Sequence, residues 1–250
     1  MLLVADVHGE FDALARVARS GEPLLILGDL LNFIDYRTLD GLLADVAGKA
    51  FVAELVALRS SGQRDRARNH WRSFAAGREQ EIADRYDELI GASYRAMAEA
   101  LTGSEAYVTY GNVDRPDVLA AALPEGCRFM DAEVAEVEGV RVGFAGGGAP
   151  NLGVPGEVTE ARLRQKLNAL GPVDMLCTHV APAVRPLSRD VIGGAVKESA
   201  AVLEYLERHQ PAWHYFGDIH QPQARTWRVG RTRCVNVGYF RATRRAIRHG

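Results

Sequence analysis

Five short apolar runs limit what this 250-residue chain can become. They are Leu2–Ala5, Leu24–Leu27, Tyr107–Tyr110, Val173–Cys177 and Trp213–Phe216, each of strand length and each followed at once by small or polar residues. Helical patterns separate most of them. Phe11–Arg19 carries apolar residues at Phe11, Leu14, Val17 and Ala18. Glu160–Leu170 comes after the N-cap residue Thr159 and stops at Gly171-Pro172. Val196–Arg208 places Val196, Ala200, Leu203 and Leu206 on one face and ends before Pro211. Strands alternating with helices imply βαβ units and a largely parallel sheet, hence an α/β fold.

Two stretches depart from that alternation. Between Cys127 and Phe144 there is no room for a helix, and Val134, Val137, Val140 and Val142 read as short antiparallel strands. Ala224–Val237 reads the same way, with Trp227-Arg228-Val229-Gly230-Arg231 as a hairpin. These stretches imply a second sheet, or antiparallel strands beside the parallel ones. From about Tyr36 to Leu101 there is neither strand signal nor proline, only helix formers broken by Gly48, Gly62, Gly77 and Gly91. Ten basic residues balance ten acids between Arg37 and Glu99, and helices this polar cover another surface or pair with a partner. The expectation is one domain over 1–250 with a helical insertion at about 36–101, lying beside the active-site mouth or at a subunit contact.

The residues immediately after each apolar run form the central pattern. These endings are Asp6-Val7-His8, Gly28-Asp29, Gly111-Asn112-Val113-Asp114, Thr178-His179 and Gly217-Asp218-Ile219-His220. In an α/β sheet, ligands bind outside the carboxyl ends of the strands, so these side chains can converge on one crevice. Glycine beside them lets the backbone turn sharply. Each signal alone is weak, since Gly-Asp is commonly a turn and a single His after a buried strand is commonly a core residue. Five such endings on five core strands are a different matter.

In order, these residues resemble the motifs of the calcineurin-like metallophosphoesterases: D-x-H, G-D, G-N-x-D, a His after a strand, and G-x-H. The match runs from Asp6 to His220, and Val235-Asn236-Val237-Gly238 resembles the family's final Asn-Pro-Gly-like turn with Val237 in place of proline. The resemblance implies a sandwich of two mixed β-sheets flanked by helices in four layers. It also implies two divalent metal ions and hydrolysis of phosphate esters by a bridging hydroxide. Asp6, His8 and His220 would hold one metal and Asn112, His179 and Asp218 the other, with Asp29 bridging. Asp29, Asn112 and Asp114 are the residues expected to serve catalysis. Two cations about 3.5–4 Å apart can bring a bound water's pKa towards neutrality and clamp attacking and leaving oxygens in line.

Two departures shape the expected chemistry. Val113 stands where most family members carry a His thought to protonate the leaving group, and Asp218 stands where an imidazole is usual. Three carboxylates, Asp6, Asp29 and Asp218, leave a net +1 beside two divalent ions, and such a hard site leans towards Mn, Fe or Mg over Zn, with Mn or Fe first. Loss of the general acid favours esters whose leaving group departs easily, and the added negative charge penalises dianionic monoesters. Both point to phosphodiesters. Asp114 and His70 are conceivable proton sources, His70 only if the insertion folds over the site. Gly146-Gly147-Gly148-Ala149-Pro150-Asn151 reads two ways, as backbone amides for a phosphate or as a loop that needs close packing. The alternative function is a weak or inactive scaffold that keeps the fold.

Bulk properties narrow the remaining classes. With 47% apolar residues the chain can bury a substantial core, and no apolar stretch approaches the ~20 residues of a membrane span. Three scattered cysteines, Cys127, Cys177 and Cys234, suit a reducing compartment, and Met1–Ala5 lacks the features of a secretory leader, so a cytoplasmic protein is expected. Net charge is −2, yet residues 225–248 hold eight arginines and no acid, leaving 22 basic against 32 acidic residues in 1–224. A solvated basic face is the expected reading, with a small phosphate ester as substrate, nucleic acid disfavoured and homo-oligomerisation left open.

Overall fold

The five apolar runs become five parallel strands, split between two sheets. The computed structural model describes residues 1–150, 153–192 and 194–250. In chain order its elements are β1 (Leu2–Val4), α1 (Phe11–Ala18), β2 (Leu24–Leu27), α2 (Leu42–Ala47), α3 (Lys49–Ser60), α4 (Arg64–Ala75), α5 (Glu79–Leu101), β3 (Ala106–Thr109), α6 (Pro116–Ala122), β4 (Cys127–Phe129) and β5 (Glu133–Val137). They continue with β6 (Val140–Ala145), α7 (Glu160–Leu170), β7 (Met175–Thr178), α8 (Arg185–Ser188), α9 (Ala200–His209), β8 (Trp213–Phe216), β9 (Thr226–Val229), β10 (Thr232–Asn236), α10 (Phe240–Thr243) and β11 (Ile247–Arg248). The chain divides into two compact units, Met1–Leu30 with Ala96–Gly250, and Leu31–Arg95.

The larger unit holds both sheets, ordered β11-β1-β2-β3-β4 and β5-β6-β7-β8-β10-β9. Each is mixed. β1 through β4 pair in parallel and β11 closes the edge antiparallel. β6, β7, β8 and β10 pair in parallel between antiparallel β5 and β9. The sheets share one core, in which Leu3, Leu25, Leu27 and Tyr107 of the first meet Phe144, Met175, Cys177 and Tyr215 of the second. Every residue of β2, β3 and β7 is buried, as expected of strands covered on both faces. Leu163, Leu167 and Leu170 of α7 and Val202 and Leu206 of α9 cover the other face of the six-stranded sheet. The fold is an α/β sandwich of two mixed sheets flanked by helices.

Local signals explain where elements begin. Thr159 accepts a hydrogen bond from the Arg162 amide and starts α7, which ends at Gly171 as the sequence indicates. Two expectations need correction. β4 is not antiparallel but joins β3 in parallel, because α6 supplies the crossover. The helix expected from Val196 starts only at Ala200, because the Ser199 hydroxyl caps the Val202 amide and the residues before it are extended. Val196 is half exposed, so its place on the apolar stripe was coincidental.

The unit Leu31–Arg95 contains α2, α3, α4 and most of α5 and, among the described residues, no strand. Leu43, Val52, Leu55 and Ala67 form its core, with Phe51, Trp71 and Tyr86 packed against them. Gly48, Gly62 and Gly77 fall between helices, whereas Gly91 lies inside α5 and does not break it. His70 stacks on Phe51 at 4.2 Å and pairs with Glu54.

Candidate metal centre

Four of the seven expected ligands leave their strands under strain. Asp6, His8, Asp29 and Asp218 all have left-handed backbone, with φ of 56°, 43°, 53° and 65°. None is glycine, and each such residue costs roughly 1–2 kcal/mol. Burying one large side chain of the shared core, such as Phe144 or Leu25, contributes roughly 1.5–3 kcal/mol, so packing outweighs the strain and holds it in place. Strain of this kind persists where the surrounding structure over-determines it, and it gathers at functional sites.

Two of the glycines work differently from the sharp turns expected of them. A side chain on Gly111 would put its Cβ 2.1 Å from Asp29 Oδ1, and one on Gly217 would put it 2.6 Å from the Ala5 Cβ. They allow strand ends to approach one another. Gly28, at φ 91°, is a true turn glycine.

The side chains converge as the pattern indicates. Asp6, His8 and His220 form one group able to hold a metal ion, and Asp6, Asp29 and His179 another, with the donor atoms of each group within 4.8 Å of one another. Asp29 reaches towards both, with Oδ2 3.7 Å from His8 Nε2 and Oδ1 3.4 Å from His179 Nε2. Asn112 Oδ1 lies 3.4 Å from His179 Nε2, and Asp218 Oδ1 3.7 Å from it. His220 Nε2 is 3.7 Å from Asp6 Oδ1. All seven expected ligands therefore fall in one cluster, and Asp6 is shared as well as Asp29.

Neighbours fix the ligands in turn. His179 Nδ1 donates to the Leu27 carbonyl at 2.8 Å, which turns Nε2 towards the carboxylates. The Asp218 amide donates to both Asp6 oxygens, and the Val113 amide to Asp29 Oδ1. The buried Asn236 side chain donates to the Ile219 carbonyl and accepts from the Gly238 amide, holding the turn that carries Asp218 and His220. Tyr239 stacks flat on His220 at 3.9 Å and edge-on to His8 at 5.7 Å.

The electrostatics favour a cation. Burial would raise the Asp6 carboxyl, but the hydrogen bond and charge of His220, then the charge of His179, hold it below its ordinary value. Asp29 shows the same balance, with burial overcome by His179 and His8. Burial would lower the His179 imidazolium, yet Asp29, Asp218 and Asp6 raise it to about 10. A field that holds a proton this firmly attracts a divalent ion to the same place. Asp218 Oδ2 is buried without a hydrogen-bond partner among the described residues, an expense that a ligand role would relieve. The donor set of carboxylate, imidazole and carboxamide suits divalent metals, so the residues fit the group.

Three site expectations change. Asp114 is fully buried, and its oxygens accept from the Leu30 and Gly111 amides, so it ties the ends of β2 and β3 together and positions Asp29 and Asn112. These bonds give Asp114 a positioning role. The amides of Gly146, Gly147 and Gly148 donate to Asp131, Tyr110 and Gly156, so the glycine run is a packing loop and not a phosphate cradle. Asn151 of that motif lies outside the described residues.

The third change is Lys197, which the strand-end pattern did not contain. Its ammonium pairs with Asp218 Oδ1. Burial acts to lower it, but Asp218, then Asp29 and Asp6, hold it above its ordinary range. Its only sequence signal was a lysine just before a capping serine, and that signal was hidden by the assumed helix.

Comparison with known proteins adds the fold. No family model and no curated protein matches this chain. A solved structure 18% identical, overlapping 96% of this chain and 90% of its own, superposes with a TM-score of 0.60. The protein TT1561 of Thermus thermophilus, 13% identical, covers 98% of this chain and 96% of its own at a TM-score of 0.55. The architecture is thus shared along almost the whole chain. Among the described residues, no helix is long and apolar enough to cross a membrane.

Proposed function

We propose that this chain is a metal-dependent phosphohydrolase of the calcineurin-like metallophosphoesterase superfamily, acting on a small phosphate ester. The observation that carries the reading is the set of four strained, buried ligand positions meeting at the ends of strands from two sheets. Asp6, His8 and His220 would hold one divalent cation and Asn112, His179 and Asp218 the other, with Asp29 between them; manganese or iron fits the donors best. Such a pair supplies Lewis acidity and an activated water.

The chain's own residues orient that chemistry. Asp29 offers one oxygen to each half, and Leu27 holds the His179 ring so that Nε2 faces inward. Val113 offers no proton to a leaving oxygen, an aid normally worth ~10²–10⁴-fold, so aryl esters should outrun alkyl esters. Lys197 returns the unit of positive charge that Asp218 removes, so charge favours diesters less than the sequence implied.

The competing reading is a scaffold that keeps the fold without the reaction, and it draws on Val113 and Asp218. Elemental analysis of purified protein, with a screen of aryl and alkyl phosphoesters, separates the two. We expect two metal equivalents and chelator-sensitive hydrolysis, with aryl esters ahead by at least ~10²-fold. Protein that takes up no divalent metal would overturn the proposal.

A further inference from the structure

Lys197 reaches the site by a specific route. Arg189 and Val196 form an antiparallel bridge, and the Lys197 amide donates to the Ser188 carbonyl at 3.0 Å. Asp190 bridges Pro222 and accepts from the Gln221 amide, while the Val191 amide donates to the Gln221 carbonyl. The segment before α9 is therefore stitched to the residues just after His220. Ser199 starts the helix late, which leaves Lys197 on extended chain. Its side chain is 32% exposed and that of Asp218 1%, and its ammonium pairs with that buried carboxylate.

We propose that Lys197 is a specificity-determining cation that offsets Asp218 and admits dianionic phosphate groups, that is, phosphomonoesters. The inference rests on the two-cation reading above. Asp6, Asp29 and Asp218 against two divalent ions leave +1, and Lys197 brings the site to +2, the value that an imidazole in place of Asp218 would give without a lysine. One unit of charge beside a docking phosphate discriminates a dianion from a monoanion by ~10-fold once solvent screening is allowed for. The pairing also commits Asp218 Oδ1 to Lys197, which weakens Asp218 as a metal donor.

The test uses the whole protein as Lys197→Met, Lys197→Arg, Asp218→His and the double variant Lys197→Met/Asp218→His. The first readout is the ratio of kcat/KM for an aryl phosphomonoester to that for an aryl methyl phosphodiester with the same leaving group, at about pH 8, where the monoester is a dianion. Lys197→Met should lower the ratio ~10-fold and Asp218→His should raise it; the double variant and Lys197→Arg should return it to near the native value. The second readout is calorimetric titration with Mn²⁺, in which Lys197→Met should bind the weaker equivalent ~10-fold more tightly. A native protein that takes up Mn²⁺ but shows the same ratio in Lys197→Met overturns the role of Lys197 alone. So does a double variant no nearer to native than its parents, or a Lys197→Arg that behaves like Lys197→Met. A native protein with no Mn²⁺ uptake overturns the two-cation reading and this inference with it.

Discussion

Asp6, His8 and His220 make one half of the strand-end cluster, and Asn112, His179 and Asp218 the other, with Asp29 reaching both. The first half is closed by an aromatic ring and remains partly open, since Tyr239 covers His220 while a third of the His220 side chain meets solvent. The second is closed by charge and backbone: His179 is fully buried, fixed by the Leu27 carbonyl, and Asp218 is matched by Lys197. Burial raises the cost of any uncompensated charge, so buried Asp218 needs a counter-ion within the fold, and buried Asp6 draws on His220 and His179. The two halves thus differ in the exposure of His220 and in the protein cation beside Asp218.

Asp29 is where that separation should fail most completely. Replacing it with alanine removes a carboxylate from both halves, and kcat/KM should fall by ~10³-fold or more, since a single electrostatic contact at a reacting centre is worth ~10²–10³-fold. Elemental analysis should show both equivalents disturbed, whereas His220→Ala should release one and leave the sealed half loaded. Two full equivalents in an active Asp29→Ala protein would dissolve the distinction between the halves and their supposed link.

Asp114 gives a smaller and different effect. Asp114→Ala leaves the Leu30 and Gly111 amides buried without acceptors, at ~1–3 kcal/mol each. Denaturant unfolding should show a loss of ~2–6 kcal/mol, with weaker metal binding in the sealed half because Asn112 and Asp29 lose their shared anchor. A variant as stable as the native protein, yet inactive, would instead point to a direct catalytic role for Asp114.

An effect confined to acid pH concerns the wall behind His179. His214 Nε2 donates to the Thr178 hydroxyl at 2.9 Å, and the hydroxyl itself donates to the Val180 carbonyl. The other ring nitrogen is buried without a hydrogen-bond partner among the described residues, so burial pushes the imidazole down to about 3. The unfolded chain, near 6.5, binds this proton more readily, so His214 contributes stability that is full above about pH 6.5 and is lost as pH falls towards 3. Between those values the slope should approach ~1.4 kcal/mol per pH unit, and His214→Gln should flatten it in unfolding measured across that window. An unchanged slope would mean that the sealed half does not extend to this layer.

Much of this molecule was legible in the chain because its strands are short, fully buried and punctuated. Leu24–Leu27 and Trp213–Phe216 coincide with β2 and β8, and Thr159 and Gly171 bound α7 as capping chemistry requires. The cluster of carboxylates and imidazoles could be read for the same reason, since parallel strands deliver the residues after them to one edge. Only the tertiary structure decided the rest. Left-handed φ at Asp6, His8, Asp29 and Asp218 is imposed by packing that no local pattern records. Gly111 and Gly217 matter for what lies beside them, which depends on chain segments far away in sequence. Asp114 stood in the G-N-x-D motif and Lys197 in none, yet neither role could be read, because a positioning carboxylate and a compensating ammonium are defined by their partners, Gly111 and Leu30 for one and Asp218 for the other. Local sequence specifies a residue's own conformation and periodicity, but the partner of a buried charge is chosen only when distant chain segments come together.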